Sequence, residues 1–319
     1  MTKRLTIPGA EELLGLYFPV LDHGFVALVD YMGGDDSVVQ AARVSYGAGT
    51  KKVSEDRGLV RYLMRHWHTT PSEMVELKFH MKLPIFVARQ LIRHRTANVN
   101  EYSGRYSLMP MQFYTPEAEN LGIQAKNNKQ GRSGAVSEEV HTDAVFRWME
   151  QRQSAQQNYE WLLEEDVAKE LARLDLPLSM YTEWYWKIDL HNLFHFLRLR
   201  CDSHAQWEIR QFGDVMAGMV QRVAPNSFDA WVDYRFCARN FSREELDVLQ
   251  LIIRESGMGP EDIKKLVEGS SLSSREQGEL LLKLLRVPEI PNFSLDLSQA
   301  KSPEYFYDEA QKYVPNVKG

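Results

Sequence analysis

The segment MVELKFHMKL, from Met74 to Leu83, alternates with a period of two. Val75, Leu77, Phe79, Met81 and Leu83 fall on one face, and Glu76, Lys78, His80 and Lys82 on the other. Successive side chains of an extended chain point to opposite faces, so this pattern predicts a strand buried on one side only. MYTEWYWKI, Met180–Ile188, repeats it with Thr182, Trp184, Trp186 and Ile188 on one face, and Gly24–Met32 reads as a third strand. Helices are expected between them. Ser37 is placed to cap one running through Arg43, Leu59–His66 forms another, and Pro84 can open IFVARQLIR. A long helix carries Val145, Trp148, Ala155, Tyr159 and Leu162, a shorter one runs from about Val167 to Leu174, and Asp189 can cap LHNLFHFLRLR. Pro116–Ser137 is polar and Gly-rich, an expected flap or loop, and Asn127–Arg132 could close over a ligand.

Beyond Arg239 the chain turns to amphipathic helices, with capping boxes expected at Ser242/Glu245 and Ser274/Gln277, then a Pro-containing tail. No internal repeat is visible. The expected class is α+β, a twisted, mostly antiparallel sheet with flanking helices and a C-terminal helical appendage. The expected divisions are an N-terminal segment 1–21, a core 22–238 and an extension 239–319.

Composition narrows function by exclusion. The 319 residues suffice for a large core, and 44% hydrophobic with 26% charged residues is the profile of a soluble globular chain. No apolar run approaches the roughly 18 residues of a membrane span, and MTKRLTIPGAEELLG lacks the pattern of a secretion signal. Two cysteines, Cys201 and Cys237, form neither a disulfide framework nor a CxxC pair, which suits a reducing cytoplasm. A formal net charge of −6 argues against a general nucleic-acid binder, so any basic chemistry is local.

That chemistry is densest at Gln90–Ser107, QLIRHRTANVNEYSGRYS. Arginines bind phosphate through paired, charge-assisted hydrogen bonds, and hydroxyls and glycine-adjacent amides complete such sites. An isolated RHR also reads as a solvated turn. The longer string decides between these: Arg93-His94-Arg95, seven residues, then Ser103 resembles the signature of flavin-dependent thymidylate synthases. Asn100, Glu101, Ser103 and Arg105 match its extended form, whereas Asn98 stands where many members carry serine. HWHTTPSE, ARLDLPL and DLHNLFHFLRLRCDSHAQWEIR resemble further family segments in the family's order, over roughly Asp22–Phe236.

The resemblance implies the family's α+β fold and a homotetramer with active sites between subunits. It also implies methylation of dUMP to dTMP. Tightly bound FAD would be reduced by NADPH, and 5,10-methylenetetrahydrofolate would be the carbon donor. By the same resemblance, Arg93, His94, Arg95 and Glu101 contact FAD, with Thr70 assisting and His68 beside the isoalloxazine. Asp189, His191 and His195 occupy a segment used on FAD, where some members carry Asn, Arg and Asn. Gln90, Arg93, Ser103, Gly104, Arg105 and Arg173 would hold dUMP. Arg200 is the candidate for chemistry: a guanidinium at the N3–O4 edge of uracil would stabilise the charge that activates C5. On its own, Arg200 also reads as a favourable charge at a helix C-terminus.

Ser103 has no adjacent base in sequence and is read as a ligand to substrate; Cys201 is read as a packed thiol. Two rival classes were weighed. A metal-dependent hydrolase could use His191 and His195, four apart on a helix, with His66, His68 and His204, but HNLFH lacks the HExxH glutamate. A nucleic-acid module would rest on a single basic cluster in an acidic chain with scattered aromatics, Tyr102 and Tyr106. The expected assignment has no metal, nucleic-acid or membrane partner.

Overall fold

Strand β3 (Glu76–Pro84) lies inside a five-stranded sheet, and its alternation is realised residue by residue. Leu77, Phe79, Met81 and Leu83 are fully buried, while Lys78, His80 and Lys82 are half-exposed. Its neighbours are β2 (Gly24–Met32) and β7 (Tyr181–Asp189), and the sheet order is β1-β2-β3-β7-β4, with β1 at Tyr17–Val20 and β4 at Ala97–Glu101. Every pairing is antiparallel. Register sets Leu77 opposite Ile188, Phe79 opposite Trp186 and Met81 opposite Trp184, so the apolar faces of both central strands coincide. A one-residue slip would expose this set and bury lysines, which is what pins the pairing. The computed structural model describes residues 5–44, 56–126 and 131–285.

The helices of the first unit are α1 (Pro8–Glu11), α2 (Asp35–Val44), α3 (Asp56–Arg65), α4 (Thr70–Glu73), α5 (Ile85–Leu91), α6 (Glu138–Glu164), α7 (Lys169–Ala172), α8 (Leu190–Arg200), α9 (Trp207–Val223) and α10 (Pro225–Trp231). A short hairpin, β5 (Gly122–Gln124) with β6 (Arg132–Ala135), precedes α6, and a π-helical turn at Val232–Phe236 follows α10. One core joins the sheet to α5, α8 and α9, with Phe196, Phe212, Met216 and Val220 among its buried residues. Residues 5–21 contribute to the same unit: Ala10 and Leu13 are buried in that core, and β1 pairs with β2.

Two expected caps move. α2 begins at Asp35, ahead of Ser37, whose Oγ accepts from the Gly34 N–H at 3.4 Å from within the first turn. Asp35 instead caps α10, accepting from the backbone of Asn226 at 2.7 Å and of Ser227 at 2.9 Å. That places a carboxylate at the positive end of a short helix.

The chain divides by its contacts into Met1–Ala238 and Arg239–Gly319. The second unit holds α11 (Arg243–Glu255), α12 (Pro260–Glu268) and α13 (Ser274–Leu285). Ser242 and Glu245 form the expected capping box, but the second box is Ser273 with Glu276, one residue earlier than expected. The Pro-containing tail lies outside the described residues, and among these no helix is long and apolar enough to cross a membrane.

Candidate active site

α8 builds the centre of the site because one of its faces is committed to the core. Leu190, Leu193, Phe194, Phe196 and Leu197 are buried, which leaves His191, His195 and Arg198 to line a cleft with Trp67, His68 and Arg235. The helix is held at its N-terminus and near its middle. Asp189 Oδ1 accepts from the Asn192 N–H at 2.9 Å and Oδ2 from its side-chain amide at 2.6 Å. Trp231 stacks on Phe194 with ring centroids 5.3 Å apart and donates its indole N–H to the Phe194 carbonyl at 3.1 Å. Asp189 thus serves the helix cap, while His191 and His195 face the cleft.

At the C-terminal end of α8, Arg200 Nε donates to His94 Nε2 at 3.2 Å, a contact between residues 106 apart in sequence. The His94 ring stands edge-on to Phe196 at 4.9 Å, and Phe196 packs on Trp186 of β7. Burial, followed by the charges of Arg200 and His195, lowers the His94 pKa to about 4. The imidazole is therefore neutral near pH 7 and can accept. Burial also lowers the Arg200 pKa from its ordinary value, with the side chain remaining a cation. A neutral partner orients the guanidinium without cancelling its charge, which a carboxylate would do.

Arg235 and Trp67 belong to this cleft and were not among the expected residues. The guanidinium lies 3.3 Å from the Trp67 ring centroid and donates to the Met64 carbonyl. Trp67 has φ +61°, a left-handed conformation unfavourable for a bulky residue, and it delivers His68 to the cleft. Burial, then the Arg198 charge, lowers the Arg235 pKa to about 10. His68 stacks on Tyr62 at 5.7 Å and shares an adjoining depression with Thr70. The link between Arg235 and Trp67 leaves no local sequence signal, although the π-helical turn carrying Arg235 is a form often found at functional sites.

The other expected residues form a more open region. Tyr106 and Ser107 N–H donate to the Ser103 carbonyl, and Ser103 Oγ accepts from Arg105 N–H at 3.3 Å. No base approaches Ser103 among the described residues, so it has no partner that would make it a nucleophile. Gly104 is buried against Arg173, where an added Cβ would lie 2.4 Å from Met109 Sδ and 3.1 Å from Arg173 Cδ. Arg105 pairs with Glu170 at 3.2 Å, and Glu101 accepts from Thr182 Oγ1 at 2.7 Å. Gln90 donates to Gln206. Arg93 and Arg95 are exposed, with no acidic partner among the described residues. Asn98 pairs in register with Lys187, on the sheet face opposite Trp186. Cys201 ends α8 half-buried, and burial with Asp214 pushes its thiol pKa up to about 12, as a packed thiol requires.

The cleft lined by His191, His195 and Arg235 holds about 60 Å³, and the adjoining depression at His68 and Thr70 about 480 Å³, against the roughly 300–1,000 Å³ of a typical ligand site. Residues 127–130 of the expected flap lie outside the described residues; its flanks form the β5–β6 hairpin. Among the described residues, no three His, Cys, Asp or Glu side chains cluster as metal ligands.

Residues 27–226 match the family described as thymidylate synthase complementing protein. A flavin-dependent thymidylate synthase of Rickettsia bellii (strain RML369-C) is 46% identical over 298 residues, covering 89% of this chain and 99% of that protein. One from Ruegeria pomeroyi (strain ATCC 700808 / DSM 15171 / DSS-3) is 49% identical over 282 residues, covering 87% and 91%. Both similarities cover too much of the chain to end at Ala238, so they extend into the second unit. Among solved structures, a UMP/dUMP methylase, PolB from Streptomyces cacaoi, bound with 5-Br dUMP, superposes with a TM-score of 0.62 at 32% identity. That similarity covers 68% of this chain and 98% of the other.

Proposed function

This chain belongs to the flavin-dependent thymidylate synthases, and we propose that its cleft and basic turn form one site, in which Arg200 acts on the uracil of dUMP. The enzyme methylates dUMP to dTMP and depends on a flavin. The observation that carries the reading of Arg200 is its bond to a neutral His94, which leaves the terminal guanidinium nitrogens and the full charge for a ligand. Placed at the N3–O4 edge, that charge stabilises the negative charge that builds as C5 becomes nucleophilic. Because it is fixed beforehand, no reorganisation is needed at that moment.

The residues present fit a flavin dinucleotide. The Trp67 and His68 rings offer faces to a planar heterocycle, and Arg198, Arg235 and the exposed Arg93 and Arg95 offer donors to a diphosphate. In this reading His94, Arg95, Glu101, Thr70, His191 and His195 complete the FAD site, with Asp189 acting through the helix cap. Bound there, FAD supplies the reducing equivalents that convert the transferred carbon to a methyl group. The donor is 5,10-methylenetetrahydrofolate and NADPH is the electron source. Ser103, Gly104, Arg105, Arg173 and Gln90 hold the nucleotide, Gly104 because its missing side chain lets the backbone approach beside Arg173. The exposed Arg93 and Arg95, with no acidic partner among the described residues, support sites completed by neighbouring chains of a homotetramer.

The test is the visible spectrum of the purified protein under anaerobic conditions. A flavin spectrum should bleach with NADPH, then return on adding dUMP and methylenetetrahydrofolate, with dTMP formed. A colourless protein that takes up neither FAD nor dUMP would overturn the assignment.

A further inference from the structure

Glu208 lies in the first turn of α9 and is buried, yet it is not among the expected site residues. Its carboxylate gathers three donors: the Tyr114 hydroxyl at 3.1 Å, Arg132 Nη1 at 3.0 Å and Gln206 Nε2 at 2.9 Å. Burial, then Glu208 itself, holds the Tyr114 hydroxyl far above its ordinary pKa, so it stays a donor. Gln206, the residue preceding α9, accepts through Oε1 from Gln90 Nε2.

The direction of this chain follows from chemistry. A carboxylate accepts and cannot donate, so Gln206 must turn its NH₂ toward Glu208 and its carbonyl oxygen toward Gln90. That oxygen in turn requires the NH₂ of Gln90. One buried charge therefore sets the rotation of two carboxamides in sequence. A buried carboxylate deprived of donors is strongly penalised, so the arrangement resists reversal. Arg132 brings the β5–β6 hairpin to the same carboxylate, and its guanidinium lies 5.8 Å from the Trp207 ring centroid.

We infer that Glu208 and Gln206 are positioning residues for nucleotide binding: they hold the Gln90 carboxamide so that its second N–H and its Oε1 meet the ligand in a fixed sense. The inference rests on the reading that Gln90 holds dUMP. A purely structural tie would lower stability and leave affinity for the nucleotide unchanged; the relay acts on that affinity.

The experiment is calorimetric titration of the holoenzyme with dUMP, paired with steady-state kinetics, for wild type, Gln206→Met, Gln90→Ala and the double variant. Gln206 is exposed, and Tyr114 and Arg132 still donate to the Glu208 carboxylate when it is replaced. Gln206→Met should raise the dUMP Kd and KM about tenfold, with kcat within about twofold and the flavin spectrum unchanged. In the Gln90→Ala background the same change should add nothing, since the relay acts through Gln90. Glu208→Gln, whose carboxamide can present either end, should reproduce part of the loss. A wild-type Kd in Gln206→Met, or penalties that add in full in the double variant, would overturn the relay while leaving the wild-type assignment standing. A Gln90→Ala variant that binds dUMP as tightly as wild type would instead overturn the underlying reading of Gln90, and the relay with it.

Discussion

Two groups of arginines frame the site, and they differ in how the fold treats them. Arg93 and Arg95 follow α5 into solvent, with no acidic partner among the described residues. Arg200 and Arg235 are half-buried, one bonded to a neutral imidazole and the other laid on an indole ring. An exposed guanidinium waits for its anion, so it contributes to ligand affinity and little to folding. A desolvated one is costly to bury and already oriented when the ligand arrives, so it contributes to rate and to the integrity of the cleft.

This contrast can be broken most decisively at Arg200. Arg200→Ala should lower kcat/KM for dTMP formation by about 10³-fold, a loss of roughly 4 kcal/mol of transition-state stabilisation, with flavin still bound. Retained turnover would remove Arg200 from the chemistry. Arg235→Ala should act on the fold as well as on FAD binding, lowering stability by about 1–3 kcal/mol in urea and loosening the Trp67–His68 turn. Arg93→Ala and Arg95→Ala should each weaken FAD binding about tenfold, read by fluorescence titration, with stability within about 0.5 kcal/mol of wild type. Equal stability losses in all four variants would erase the distinction between the two groups. The smallest effect is expected at Cys201→Ala. Burial and Asp214 push its thiol pKa up to about 12, which keeps it protonated and unreactive near neutral pH, so kcat should stay within about twofold.

What could be read in the sequence follows the same division between local and distant causes. β3 and β7 were legible because burial on one face writes itself into alternation. β4 was not, since ANVNE lies at the sheet edge with Val99, Asn100 and Glu101 exposed and little apolar pattern to read. α9 is the opposite case, since Ile209, Phe212, Met216, Val220 and Val223 carry helical spacing that is legible without the structure. The basic turn was found through a long family string, which names residues but not their contacts. The bond from Arg200 to His94, the Arg235–Trp67 stack and the Glu208 relay each join segments far apart in the chain. Only folding brings them together, and Asn98 shows the converse, a motif position carried to the sheet face opposite Trp186.

The role given to Arg200 depends on His94 being a neutral acceptor fixed beneath it. With a folded pKa of about 4 against an ordinary 6.5, the folded protein binds this proton less readily than the unfolded chain. The associated stability is therefore present above about pH 6.5 and is lost as pH falls from there toward 4. An NMR titration of the His94 imidazole measures this directly. The expected midpoint is near 4, with Nε2 unprotonated at pH 6 and the resonance shifting in Arg200→Ala. A midpoint near 6.5 that is indifferent to Arg200 would contradict it.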